Sequence, residues 1–141
     1  MRVARQAEAV RVAAAVAAGS ALGAVARYGL SLWLIGLLGP GFAWGTLAAN
    51  AAGSFLIGLY VALAGPDARV PAGPVQQAFA VAGFCGGFTT FSIFSLEAVN
   101  KAATGAWDLA GVFVAASAVL WAAGVVAGYR LGRRIDAGRR R

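Results

Sequence analysis

The stretch Gly83-Phe84-Cys85-Gly86-Gly87-Phe88-Thr89-Thr90-Phe91-Ser92-Ile93-Phe94-Ser95-Leu96-Glu97 sits almost wholly in a charge-free run, Val70–Leu96. It carries three glycines in five residues, then hydroxyls alternating with phenylalanines. Glycine is a poor helix former, so this spacing predicts a helix that breaks in mid-span. Broken backbone at membrane depth is tolerated only when buried in protein or lining a cavity. Its freed carbonyls can coordinate a hard cation such as Na⁺. Past the break, Phe91 and Phe94 share one helical face, and Ser92 and Ser95 a neighbouring one. Aromatic residues at this spacing usually just pack; beside a broken helix they also suit a pore wall. Cys85 reads as a small packing residue.

Outward from this stretch, Tyr28–Pro66 and Leu109–Tyr129 are also free of charged side chains. Each block is as long as, or longer than, the roughly 20 residues a membrane helix requires. Hydrophobic residues make up 60% of the chain and charged ones 12%, about half the usual share. An integral membrane protein follows, not a soluble enzyme, a nucleic-acid-binding domain or a disulfide-stapled secreted domain. The single Cys cannot pair within the chain, and without His there is no imidazole metal site and no Ser-His or Cys-His pair. Met1–Ala18 resembles a signal peptide, but its apolar pattern continues through Arg27 to Leu38, too long for one. A retained first helix is expected.

The expected architecture is all-α, a single domain over 1–141 with four spans at about 12–37, 42–64, 75–103 and 109–131. The turns contain Gly39-Pro40-Gly41 and Gly65-Pro66, and the basic tail 132–141 is expected to fray or lie on the lipid surface. Small residues recur four apart at Gly19 and Gly23, at Gly45, Ala49 and Gly53, and at Gly124, Gly128 and Gly132, which suits close helix packing. Four thin helices enclose little, so a pore calls for a second subunit.

Polar groups within the apolar blocks are costly and usually face protein or water. Asn50 shares a face with Thr46 and Gly53, and reads as an interhelical hydrogen bond or as a donor to a solute. Arg27, the one cation in the first span, either snorkels or draws anions to a vestibule. Glu97 could cap the track or bind a Ser hydroxyl. A lone Ser such as Ser117 more often bonds its own backbone. Aromatic ring edges are positive, so Phe edges with neutral donors would suit a small, hard, strongly hydrogen-bonding anion.

These residues resemble the Fluc (CrcB) family of fluoride channels. The resemblance rests on Gly23–Arg27, on Gly45-Thr46-Leu47 with Asn50, Gly53, Phe55 and Gly58, and most specifically on the quoted stretch. It implies an antiparallel dimer in the plasma membrane of a prokaryote, exporting cytoplasmic fluoride passively and so lowering its toxicity. It implies that Phe91 and Phe94 line the pathway, with Asn50, Ser92, Ser117, Thr90 and Glu97 along it and Arg27 at a vestibule. The backbone carbonyls of Gly86 and Thr89 are implied to hold a structural, untransported Na⁺ at the dimer centre. The chain departs from the family at Ile93, Phe113 and Trp121, where hydroxyls are usual, which thins the polar track.

A small four-helix multidrug or cation transporter is one alternative, but it needs an acid deep in the first span, and Glu8 precedes that span. A non-conducting partner subunit is the other. The side holding both termini and the Gly65–Pro74 loop carries ten cations: Arg2, Arg5, Arg11, Arg69, Arg130, Arg133, Arg134, Arg139, Arg140 and Arg141. The other side carries Lys101, and Arg27 lies within the first span. Positive charge favours the cytoplasm. The imbalance predicts cytoplasmic termini, and a heterodimer with a homologue of opposite bias in place of a dual-topology homodimer.

Overall fold

The computed structural model describes residues 2–66, 68 and 70–138. The protein is all-helical, and four helices are long and apolar enough to cross a membrane: Arg2–Leu38, Trp44–Ala64, Pro74–Ala103 and Trp107–Gly138. It is a multi-pass membrane protein. The first helix is α1 (Arg2–Leu38) and the second α2 (Trp44–Ala64). The third is composite. A first turn, α3 (Pro74–Gln77), leads into a π-helical stretch, Ala78–Cys85, then into α4 (Gly86–Phe88) and α5 (Phe91–Ala103). The last helix is α6 (Trp107–Gly138).

Both outer helices run further than the apolar pattern. Helix α1 starts at Arg2 and not near Val12, because the intervening Ala, Arg, Glu and Gln are strong helix formers. Helix α6 continues to Gly138, so 132–138 is regular helix and not frayed, one of the two forms expected of the tail. Asp67, Arg69 and Arg139–Arg141, which entered the loop and charge readings, lie outside the described residues. Two turns require glycine: Gly39 at φ 76° after α1 and Gly105 at φ 84° before α6. Both are left-handed conformations that side chains resist.

Glycines also set how closely the helices meet. A Cβ at Gly19 would lie 2.8 Å from the Phe84 amide nitrogen, and one at Gly23 would lie 2.7 Å from that of Phe88. The same holds between α2 and α6, where a Cβ at Gly128 would lie 2.9 Å from the Leu59 amide nitrogen. Backbones therefore touch directly along two seams, α1 with the composite helix and α2 with α6, as small residues allow in lipid. The buried side-chain core is small: Leu47, Phe94 and Phe113, with Phe42, Ala43, Ala98 and Trp121 packed around them. Many large apolar side chains face outward, Phe91, Trp33 and Trp107 among them.

Candidate functional site

The composite helix leaves helical geometry at two residues. Thr89 has φ −90° and ψ 162°, Thr90 has φ −154° and ψ 121°, and α5 resumes at Phe91. The glycines are not where this happens, since Gly86 and Gly87 remain helical in α4. Gly83 and Gly87 instead admit the α1 backbone: a Cβ at Gly87 would lie 2.8 Å from the Ser20 Cα. What holds the two threonines extended is Asn50. Its Nδ2 donates to the Thr90 carbonyl at 2.9 Å, and its Oδ1 accepts from the Thr90 N–H at 2.7 Å. Asn50 is only 5% exposed, so both bonds form out of water, where unpaired backbone is most costly. One amide hydrogen of Asn50 is left over, since the group carries two.

Four carbonyls, those of residues 86 to 89, lose their helical donors here; Arg27 takes that of Gly87. In a continuous helix the Thr90 N–H would close on the Gly86 carbonyl, but it goes to Asn50. The Ile93 N–H would close on the Thr89 carbonyl, but it is capped by Thr90 Oγ1 at 3.2 Å. Thr89 Oγ1 itself donates to the Cys85 carbonyl at 2.8 Å. Oxygen atoms released in this way are what a hard monovalent cation takes as ligands. Gly86 and Thr89 therefore fit the donor set expected of them.

The face of α5 splits in two. Phe91 is 71% exposed, while Phe94 is 8% exposed. Their ring centroids are 5.6 Å apart. From Phe94 the contacts continue to Phe113 at 5.3 Å and to Trp121 at 4.9 Å, the latter edge-on at 70°. Phe42 meets Phe113 at 5.5 Å, and Lys101 Nζ lies 5.2 Å from the Phe113 ring centre. Ser92 Oγ lies 3.2 Å from Thr90 Oγ1. Ser95 is spent on its own helix, donating to the Phe91 carbonyl at 2.9 Å. Ser117 is fully buried, yet its Oγ has no hydrogen-bond partner among the described residues, and the buried atoms Trp121 Nε1 and Glu97 Oε2 have none there either.

An open cleft of about 190 Å³ joins Asn50, Ser54, Thr89, Thr90, Phe91 and Trp121. A second cavity of about 180 Å³, lined by Ser31, Thr46, Glu97 and Lys101 among others, lies beside Phe42. Asn50, Thr90 and Phe91 are thus brought together, with Ser92 bonded to Thr90 and Phe94 beside Phe91. Glu97 belongs to the other cavity. Arg27 makes a contact that was not foreseen for it: its Nε donates to the Gly87 carbonyl at 3.3 Å and ties α1 to α4.

Residues 14–129 match the family described as CrcB-like protein, Camphor Resistance (CrcB). The chain belongs to the CrcB family. It is 48% identical over 122 residues to the fluoride-specific ion channel FluC of Agrobacterium fabrum, covering 86% of this chain and 96% of that one. It is 42% identical over 123 residues to the fluoride-specific ion channel FluC 1 of Rhodopseudomonas palustris, covering 87% of each. To the protein of that name from Bradyrhizobium diazoefficiens it is 44% identical over 124 residues, covering 86% of this chain and 84% of the relative.

Three residues at these CrcB cavities had not been picked out as site residues. Ser54 lies one turn after Asn50 on the same face, a signal available at the outset. Lys101 is the one cation between Val70 and Tyr129, which could have marked it. Trp121 was read as a missing hydroxyl; no local pattern shows that its indole nitrogen ends buried beside Phe94.

Proposed function

We infer that this chain is a subunit of a fluoride-specific channel that lets cytoplasmic fluoride leave passively, lowering its toxicity, and that it is not an enzyme. The observation that carries this is the neutral cleft, where Asn50 and Thr90 offer polar groups beside Phe91. Relatives at more than 40% identity that are named fluoride-specific ion channels support it. Fluoride is small and strongly hydrated, so entry requires donors that replace its water. The spare Asn50 amide hydrogen and the one proton that the bonded Thr90–Ser92 hydroxyl pair leaves free supply them, and the positive edges of Phe91 and Phe94 can stabilise the bare ion. A cleft without a fixed charge binds such an ion weakly enough to release it, as conduction requires.

The working unit in this reading is an antiparallel dimer in the plasma membrane, with the composite helices meeting at their interruptions in mid-membrane. The outward placement of Phe91, Ser92 and Gly86 on an isolated subunit supports a second subunit that closes the pathway. The carbonyls of Gly86 and Thr89 would hold a structural Na⁺ there. When bound, that ion would neutralise carbonyl dipoles converging from two subunits. Ser117 and Phe94 belong to the same pathway, Glu97 to its far mouth, and Arg27 to the α1 side, where its remaining guanidinium N–H groups can draw anions. In proteoliposomes carrying the assembled dimer, fluoride should flow out and chloride should stay. Retention of both ions would end the channel reading.

Charge orients the chain. The ten cations counted with the termini, six of them among the described residues, stand against Lys101 on the far side. Cytoplasmic termini follow, and a partner of opposite bias is favoured over a second copy. Reporter fusions at the C-terminus should signal only from the cytoplasm, with weak fluoride flux from this chain alone. Termini found on both faces together with full flux would instead establish a dual-topology homodimer.

A further inference from the structure

Helix α6 presents Phe113, Ser117 and Trp121 at successive turns of one face. Phe94 contacts both outer members, at 5.3 Å to Phe113 and 4.9 Å to Trp121. Those two residues are two turns apart, about 12 Å along the axis at 1.5 Å per residue. The Phe94 ring therefore lies over the turn between them, which bears Ser117. On this face of α6 two buried polar atoms, Ser117 Oγ and Trp121 Nε1, have no partner among the described residues. Buried donors in native proteins nearly always have a partner, and each exception asks for one. Here two exceptions fall one turn apart on the α6 face that Phe94 packs against.

We propose that the indole N–H of Trp121 is a fluoride ligand, acting with the Ser117 hydroxyl against the Phe94 ring. This rests on the channel reading above and deepens it by naming a donor. Trp121 then replaces the hydroxyl it was thought to have lost. The exchange has a chemical consequence. A hydroxyl both donates and accepts, whereas an indole nitrogen only donates. A position built from an indole N–H welcomes an acceptor anion and gives no lone pair to a cation or to a water that must donate. Trp121 also lines the cleft that holds Asn50, Thr90 and Phe91, so an ion leaving this donor is within reach of that set.

The test reads the indole proton directly. The other tryptophans, Trp33, Trp44 and Trp107, are 62%, 37% and 71% exposed, so replacing all three with Phe should leave the fold intact. In that background the ¹⁵N-labelled channel has a single indole N–H resonance. Titration with sodium fluoride should move it, and sodium chloride at equal concentration should not. Trp121→Phe keeps the ring and deletes the donor; it should lower fluoride flux about ten-fold, as loss of one hydrogen bond to a charged group implies. A resonance that ignores fluoride overturns the proposal, and so does Trp121→Phe flux equal to that of the parent. Should Trp121→Phe fail to assemble, the resonance decides alone. A parent channel that passes no fluoride refutes the channel reading itself; a conducting parent with a silent Trp121 refutes only this ligand.

Discussion

Replacing both Phe91 and Phe94 with isoleucine is expected to cut fluoride flux by about a hundred-fold, equivalent to about 2.7 kcal/mol of lost ion stabilisation. Isoleucine stays apolar but has no ring edge and no quadrupole. The two positions separate conduction from folding. Phe91 is 71% exposed, so Phe91→Ile alone should leave the subunit's stability almost unchanged while reducing flux. Phe94 is buried against Phe113 and Trp121, so Phe94→Ile also removes packing worth about 1 kcal/mol or more. Flux measured in proteoliposomes, beside the dimer fraction by size-exclusion chromatography, distinguishes the two effects. Wild-type flux from a correctly assembled double variant would remove the phenylalanines from the pathway.

Two adjacent glycines should respond to alanine in opposite ways. At Gly87 the new Cβ would lie 2.8 Å from the Ser20 Cα. That is backbone against backbone, where nothing can rotate aside, and overpacking of this kind costs about 1–3 kcal/mol. Gly87→Ala should therefore weaken the subunit itself, in any salt. At Gly86 the nearest atom to a Cβ is the Val81 carbonyl oxygen at 3.8 Å, an ordinary contact. Gly86 also has helical torsions, φ −62° and ψ −39°, so alanine should strengthen the isolated helix by about 0.5–1 kcal/mol. Any harm from Gly86→Ala must then come from outside the subunit, from the proposed partner chain or the Na⁺ proposed between the two. The expected result is a well-folded protein with a weakened dimer whose melting temperature no longer rises when Na⁺ replaces choline. A variant with the wild-type response to Na⁺ would count against ligation at Gly86.

The four spans were legible because a charge-free block of that length has few other destinations. Close packing was legible too, since small residues recur four apart at Gly19 and Gly23 and at Gly124 and Gly128, but which helices meet along them was not. The interruption was legible in kind but not in place. A glycine looks the same in sequence whether it breaks a helix or makes room for a neighbour. Gly83 and Gly87 do the second, and the break belongs to Thr89 and Thr90. The residue that fixes it, Asn50, is 40 positions away, beyond any local pattern. Arg27 was opaque for a related reason: its hydrogen-bond partner is a main-chain carbonyl, that of Gly87, which no side-chain motif records.

The two glycine seams also bear on how this protein works in time. Where backbone lies on backbone, no layer of side chains can rearrange to let the helices slide. Parting them would forfeit main-chain contact along their length at once. Ion movement past such a frame runs on the picosecond-to-nanosecond motions of exposed side chains, not on the microsecond-to-millisecond rocking of one half against the other. The subunit is therefore a fixed frame for a pathway whose throughput follows the gradient across it. A cell that carries such a conduit adjusts the outflow by how many copies it makes, and relies on the pathway's chemistry to keep every other ion in.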